Sequence, residues 1–191
     1  MTAQIILASA SPRRQELLDQ IKVTYKVYPV DLDETPLPDE TPLAYVRRLA
    51  GEKSAACRAQ LNTDLPILAA DTTVCWKGVI MGKPKNQADA LAMLSQLSGK
   101  THQVYSAISL RGREHGQAVS ITDVTFRRLS EQEMLDYWLS GEALDKAGSY
   151  AIQGKAAVFV EAIKGSFSGV VGLPLFETAE LLSKQGIELF K

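Results

Sequence analysis

Short apolar runs alternate along this chain with stretches that carry helix start and stop signals, and that alternation leaves few folds open. Residues 5–8 (IILA) form an apolar run of strand length. Ser11 and Pro12 then read as an N-cap and a proline at the first helical position, and RRQELLDQI continues a helix. Residues 23–30, with β-branched and aromatic side chains, read as a strand. Residues 43–61 read as a long helix with Leu43, Val46, Leu49 and Ala50 on one face. Residues 66–70 predict a buried strand ending at Asp71, and 74–81 a hairpin around Lys77-Gly78. A helix over 86–97 stops at Gly99, and 104–110 and 118–126 predict two long strands. Ser130 and Glu133 make a capping box, flanked by Leu129 and Met134 at staple positions, so a helix runs to about Ser140. Residues 156–163 read as a strand, and a last helix begins at Pro174 and stops near Gly186. Interleaved strands and helices with at least one antiparallel pair predict an α/β fold: a mixed sheet with flanking helices. With 191 residues and no repeat or linker, residues 1–191 read as a single domain. Ligands in such sheets sit beyond the carboxyl ends of strands. Segments 9–14, 71–73 and 148–154 match that placement.

Several function classes fall away early. A net charge of −1 argues against a protein that coats nucleic acid through bulk positive charge. Cys57 and Cys75 are too few for a disulfide framework and read as free thiols of a reducing compartment. No apolar run approaches a membrane span, and the N-terminal arginines follow the apolar stretch, the reverse of a signal peptide. The expected location is the cytoplasm. Gly99-Lys100-Thr101 imitates the end of a P-loop, but Leu94 stands where the first glycine belongs. The segment 165–169 imitates a nucleophile elbow, but Phe167 stands where serine belongs. His102 and His115 are the only histidines, which leaves little for a histidine zinc site or a Ser-His-Asp triad.

Five constellations remain. Arg13 and Arg14 occupy a first helical turn, where cations oppose the helix dipole. An anion resting there would reverse that sign, so the segment from Ser9 to Arg14 is either a phosphate cradle or a plain Ser-Pro cap with two solvated arginines. Asp71 after an apolar strand could hold a metal or a water, or could cap its own turn. Asp31, Asp33 and Glu34 offer hard oxygen ligands, or are a solvated acidic loop. Lys83, on a stiff Gly-Lys-Pro turn, and Lys53 are point charges suited to phosphate, or surface residues. Gln153, in a glycine-bounded loop over 146–154, offers a donor and an acceptor to a nucleobase edge, or stabilises its own loop. Cationic anchors, carboxylates and an amide together suit a nucleotide phosphate.

The order and content of LASASPRRQELL (7–18), DET (33–35), EKSAA (52–56), AADTTV (69–74), MGKPK (81–85), SGKTHQVYSA (98–107), VTFRRLS (124–130), KAGSYAIQG (146–154) and VVGLPL (170–175) carry a resemblance that runs almost end to end. The chain resembles the Maf family of nucleoside triphosphate pyrophosphatases. That resemblance implies a fold like the inosine triphosphate pyrophosphatases, with two lobes around a cleft, often in a homodimer. It implies hydrolysis of a nucleoside triphosphate to the monophosphate and pyrophosphate with a divalent metal such as magnesium, manganese or cobalt. Arg13, Thr72 and Gln153 are similar to the dTTP/UTP branch; the 7-methyl-GTP branch carries tryptophan, glutamine and glutamate there. Ser106 departs from a frequent threonine, and Ser168-Gly169 from an asparagine-containing segment. On this likeness Asp71 is the expected base for water and a metal ligand with Glu34. Ser9, Arg13, Arg14, Lys53 and Lys83 are the expected phosphate holders. The competing expectation is a nucleotide-binding regulator of cell division. Neither expectation involves nucleic acid or a membrane.

Overall fold

The structure, a computed structural model, describes residues 2–190. Its strands are β1 (Ile5–Leu7), β2 (Tyr25–Val27), β3 (Ile67–Trp76), β4 (Val79–Met81), β5 (Thr101–Arg111), β6 (His115–Phe126) and β7 (Val160–Lys164). The helices are α1 (Pro12–Gln20), α2 (Pro42–Gln60), α3 (Gln87–Leu97), α4 (Glu131–Leu139), α5 (Phe167–Val171) and α6 (Leu175–Lys184). All seven strands form one sheet in the order β2-β1-β3-β5-β6-β7, with β4 paired to β3. β1 runs parallel to β2 and β3, and the remaining pairs are antiparallel, so the sheet is mixed as expected.

Strand alternation divides the core into layers. Ile5, Leu7, Leu68 and Ala70 join the large cluster that also holds Leu17 and Leu18 of α1, Leu94 of α3, Tyr137 of α4 and Leu182 of α6. Ile6, Ala8, Ile67 and Ala69 point the other way and pack with Cys57 of α2. Tyr45, Val46, Leu49 and Ala50 of α2 close on Ala107 of β5. The same alternation puts Asp71 on the α2 face and Thr72 on the opposite one.

Asp71 does not end its strand. β3 continues to Trp76, and Asp71 lies in its interior, opposite Ala107 of β5. An aspartate is disfavoured inside a strand, but here its carboxylate has a lysine partner. The expected opening is still there, made by the neighbours. On one edge β3 is paired with β1 only as far as Leu68, and with β4 only from Val74. Between them β1 has departed into α1, and the edge around Asp71 and Thr72 is open.

Three other expectations change. The strand over 23–30 shrinks to Tyr25–Val27, because Pro29 cannot donate to a ladder and β2 is an edge. The strand over 156–163 begins only at Val160, after a 3-10 turn at Lys155–Phe159. Ala156 and Phe159, three apart, are buried while Val158 is exposed, a 3-10 spacing that short sequence runs hide. The one-turn helix α5 was not expected. Ser166 caps it, its side chain accepting from the Gly169 N–H at 3.0 Å.

Candidate active site

The open edge of β3 forms the floor of a cavity of about 600 Å³. Its walls come from the turn after β1 (Ser9 to Arg14), the loop carrying Glu34, Lys53 of α2, Lys83 beyond β4, the segment from Asp145 to Gln153, and the α5 end at Gly172. The site residues implied by the family resemblance all line it: Ser9, Arg13, Arg14, Glu34, Lys53, Asp71, Thr72, Lys83 and Gln153. Asp31 and Asp33 do not. Asp33 turns back on itself, its Oδ1 accepting from the Thr35 N–H at 2.9 Å.

The first turn of α1 contains no acidic residue. Ser11 stands at the N-cap, but its side chain makes no cap bond. Instead the Ser9 hydroxyl oxygen accepts from the Ser11 N–H at 3.2 Å and from Arg14 Nη1 at 3.0 Å. Arg14 Nε donates to the Gly172 carbonyl at 2.9 Å, so the guanidinium is fixed by neutral groups alone. Burial pulls the pKa of Arg14 down, against the attraction of Asp71. Arg13 is lowered by burial too, against Glu16 and Asp145. Among the described residues, neither arginine has a carboxylate in an ion pair, and neither do Lys83 and Lys146.

Lys53 is the exception. Its Nζ lies 2.5 Å from Glu34 Oε1 and 2.7 Å from Asp71 Oδ1, so one ammonium bridges both carboxylates. Lys53 and Asp71 are buried, and Glu34 is partly open to water. Two anchors hold the Glu34 loop against α2. The Tyr45 hydroxyl donates to the Glu34 carbonyl at 2.9 Å, and Arg48 forms two bonds of 2.7 Å to Glu40. Burial would raise the pKa of Glu34, but Lys53, Lys83 and Arg14 outweigh it and hold it below its usual value. For the more deeply buried Asp71, desolvation wins over Lys53 and Arg14, and its pKa is raised. The two carboxylates bridged by one lysine are thus shifted in opposite directions.

The opposite wall depends on close backbone approach. Gly148 has φ +66°, its N–H donates to the Gly82 carbonyl at 3.1 Å, and a Cβ there would lie 2.9 Å from Val74. Only glycine lets the segment seat against β3 and β4. That contact brings Lys146 and Gln153 to the cavity, with Gln153 exposed at the rim. Sequence reading missed Lys146 as a site residue. The pKa of this lysine is lowered by burial and by the nearness of Arg13 and Lys83. It also missed the Gly172 carbonyl; the available signal was the glycine itself, which in the structure adopts a φ of +131° that few other residues reach.

Among the described residues no three histidine, cysteine or acidic side chains gather as a metal group. Glu34 and Asp71 form a two-carboxylate, oxygen-only set, the kind that holds magnesium or manganese when substrate phosphates complete the shell.

The family model described as "Maf-like protein" matches residues 4–185. The chain belongs to the Maf family. Among the relatives of this Maf chain, a protein of Methylococcus capsulatus named dTTP/UTP pyrophosphatase is 50% identical over 96% of this chain and 92% of its own length. Proteins of the same name from Pectobacterium atrosepticum and Myxococcus xanthus are each 50% identical, over 94% and 97% of this chain and 92% and 94% of theirs. Solved structures show a partial likeness. The Staphylococcus aureus Ham1 protein is 19% identical with a TM-score of 0.45, covering 66% of this Maf chain and 72% of that one. A Mycobacterium abscessus nucleoside-triphosphatase (dITP/XTP pyrophosphatase) is 19% identical with a TM-score of 0.40, covering 65% and 75%.

Proposed function

We propose that this chain hydrolyses dTTP and UTP to the nucleoside monophosphate and pyrophosphate. The observation that carries the chemistry is a bridged carboxylate pair in a cavity also lined by cations without carboxylate ion-pair partners. The substrate comes from the relatives named dTTP/UTP pyrophosphatase, which match nearly the whole chain at about half identity. Arg13, Arg14 and Lys83, with Lys146 and the Ser9 hydroxyl, hold the triphosphate through charge-assisted hydrogen bonds. Asp71, its pKa raised by burial, accepts the proton of the attacking water. The water oxygen bonds to phosphorus, the bond between the α and β phosphates breaks, and its electrons leave with pyrophosphate. Lys53 holds Asp71 and Glu34 in register rather than facing phosphate alone. Glu34 and Asp71 would hold a divalent cation, magnesium, manganese or cobalt, which when bound would neutralise charge on the phosphate oxygens. Thr72 and Gln153, with Arg13, select the nucleoside; Gln153 matches the edge carrying O4 and N3–H in both thymine and uracil.

The same reading has residues 1–191 working as one unit in the cytoplasm, as a homodimer. No helix of the described residues is long and apolar enough to cross a membrane. Exposed Phe167 and Phe176 are compatible with a partner subunit. Light scattering after gel filtration measures the mass directly.

The decisive assay is pyrophosphate release from a panel of nucleoside triphosphates with magnesium or manganese. dTTP and UTP should lead the panel. Asp71→Asn keeps the shape and should lower turnover at least about a hundredfold with nucleotide binding kept. Near-normal turnover by Asp71→Asn would refute its role as base. Binding without pyrophosphate release by the unaltered protein would refute the enzyme and favour a nucleotide-binding regulator.

A further inference from the structure

Thr72 lines the cavity next to Asp71, and Ser106 stands behind it, 1% exposed, as its register partner on β5. The Ser106 Oγ lies 2.6 Å from the Gly169 carbonyl oxygen and 2.8 Å from Thr72 Oγ1. These two distances fix the direction of both hydroxyl protons. A carbonyl oxygen only accepts, and a serine hydroxyl has a single proton to give. At 2.6 Å two oxygens with no proton between them would repel, so the Ser106 proton points at Gly169. Toward Thr72, Ser106 is left with lone pairs alone. The Thr72 proton must therefore point back to Ser106, and the threonine turns only acceptor lone pairs to the cavity.

The carbonyl that starts this relay is held firmly. Gly169 belongs to α5, and its N–H is capped by the Ser166 hydroxyl at 3.0 Å. At the end of the same turn, the Gly172 carbonyl orients Arg14. A Cβ built on Gly172 would lie 3.7 Å from both Arg14 Nε and Thr72 Oγ1. One short turn thus sets the direction of a cationic fork and the polarity of the hydroxyl beside it.

We infer that Ser106 is a positioning residue that holds Thr72 as an obligate hydrogen-bond acceptor, so that this wall of the cavity demands a substrate carrying an N–H or O–H donor there. The inference rests on the reading of the cavity as a nucleotide site, and it adds a polarity that the identity of Thr72 alone does not supply. A free threonine hydroxyl would serve donor-bearing and donor-lacking ligands alike; one with its proton tied up discriminates between them. In dTTP and UTP the donor has two sources: N3–H of the base and the 3′-hydroxyl of the sugar.

The test compares UTP with N3-methyl-UTP, and dTTP with 3′-deoxythymidine triphosphate, in the unaltered protein, Ser106→Ala and Ser106→Thr. The readout is the ratio of kcat/KM for parent over analogue, with the ratio of Kd values from calorimetry alongside. The unaltered protein should discriminate in one arm by about tenfold or more, the loss expected when a buried acceptor goes unpaired. Because Gln153 also faces N3–H on the proposed reading, the donor is assigned by the arm whose ratio falls in Ser106→Ala: the N3-methyl arm to the base, the 3′-deoxy arm to the sugar. In Ser106→Ala the freed Thr72 hydroxyl can turn its proton outward, so that ratio should fall, to near one in the 3′-deoxy arm and to what Gln153 and the methyl bulk leave in the N3-methyl arm. Ser106→Thr keeps a hydroxyl in place and should restore the ratio. The bulk of a methyl group would penalise N3-methyl-UTP equally in all three proteins, so a ratio that moves with residue 106 reads polarity. Should Ser106→Ala fail to fold, Thr72→Val removes the acceptor itself and should lower the same ratio. Unchanged discrimination in Ser106→Ala, or parents handled well with neither analogue penalised, overturns the inference and leaves the nucleotide reading standing. Absence of any nucleotide binding or turnover overturns both.

Discussion

Lys53→Met isolates the central electrostatic contact of the cavity. Methionine keeps an unbranched stem of similar length packed on α2 and deletes the charge. Glu34 and Asp71 lie 2.5 and 2.7 Å from the lost ammonium, so they remain within about 5 Å of each other, where unit charges repel by about 3 kcal/mol at an effective dielectric of about 20. Removing one partner of a fully buried pair costs about 3–5 kcal/mol. Glu34 has 42% of its side chain exposed and can swing toward water, which brings the expected loss down to about 2–3 kcal/mol. Urea unfolding with a chelator present, near neutral pH, reads this as a midpoint lowered by about 1 M for an m-value of about 2–3 kcal/mol per molar. Acidification supplies a sign test. Burial already raises the pKa of Asp71 in the folded protein, and losing Lys53 removes the largest opposing influence. The folded variant then binds more protons than the unfolded chain above the usual aspartate range, so its stability recovers as pH falls through that raised value. The gap to the unaltered protein should narrow on acidification. Lys53→Met combined with Asp71→Asn should recover most of the loss, because no uncompensated buried carboxylate is left. A loss below about 0.5 kcal/mol, the scale of an inconsequential surface change, or a gap that widens on acidification would refute the reasoning.

Gln153→Glu should reduce dTTP and UTP hydrolysis by about tenfold more than hydrolysis of other triphosphates, since a carboxylate no longer donates to O4. Equal losses across the panel would remove Gln153 from base recognition. His102 sits on the far side of β5 from α2, with Nε2 2.8 Å from the Tyr150 hydroxyl, and burial pushes its pKa down to about 4. The unfolded chain takes up that proton more readily, so the stability this neutral histidine leaves intact above about pH 6.5 is lost as pH falls toward 4, by at most about 3 kcal/mol. His102→Phe should flatten that part of the pH dependence in urea midpoints, and an unchanged slope would show that His102 is not its source.

What was legible in the sequence is what is local. Ser11, Pro12 and the two arginines announce a strand-to-helix turn because cap, proline and dipole conflict lie within four residues. The capping box at Ser130 and Glu133 forms as read. The bridge from Glu34 through Lys53 to Asp71 was not legible as a contact. It needs the register of β3 against β5, the placement of α2 over that face, and the anchoring of the Glu34 loop by Tyr45 and Arg48. Lys53 therefore read as one more cation for phosphate, whereas its ammonium is committed to two carboxylates. Asp71 read as a strand end because an aspartate seldom continues a strand, and the lysine that lets it do so comes from 18 residues away. Lys146 and the Gly172 carbonyl were hidden for the same reason: each becomes part of the site only through a chain turn packed on β3 or α1.

The charge pattern explains why so mildly acidic a chain suits a small polyanion. The net charge is −1, so the protein as a whole exerts no long-range pull on nucleic acid. Yet Arg13, Arg14, Lys83 and Lys146 converge on one cavity with no ion-paired carboxylate among the described residues. Each arginine in the first turn of α1 opposes the helix dipole at a cost of about 0.3–1 kcal/mol, and burial lowers the pKa of both. The acidic groups that could have relieved them are placed elsewhere: Glu34 and Asp71 on Lys53, Glu40 on Arg48. A fold that leaves cations uncompensated at a helix N-terminus, while pairing Lys53 and Arg48 of α2 with carboxylates, concentrates its positive field over a space of about 600 Å³. A triphosphate resting there would turn each of these unfavourable contacts favourable at once, since N–H groups, dipole and guanidinium forks then act on the same charge. A duplex cannot reach into that space. Selection between the two polyanions therefore needs no repulsive surface, only the confinement of charge to a pocket.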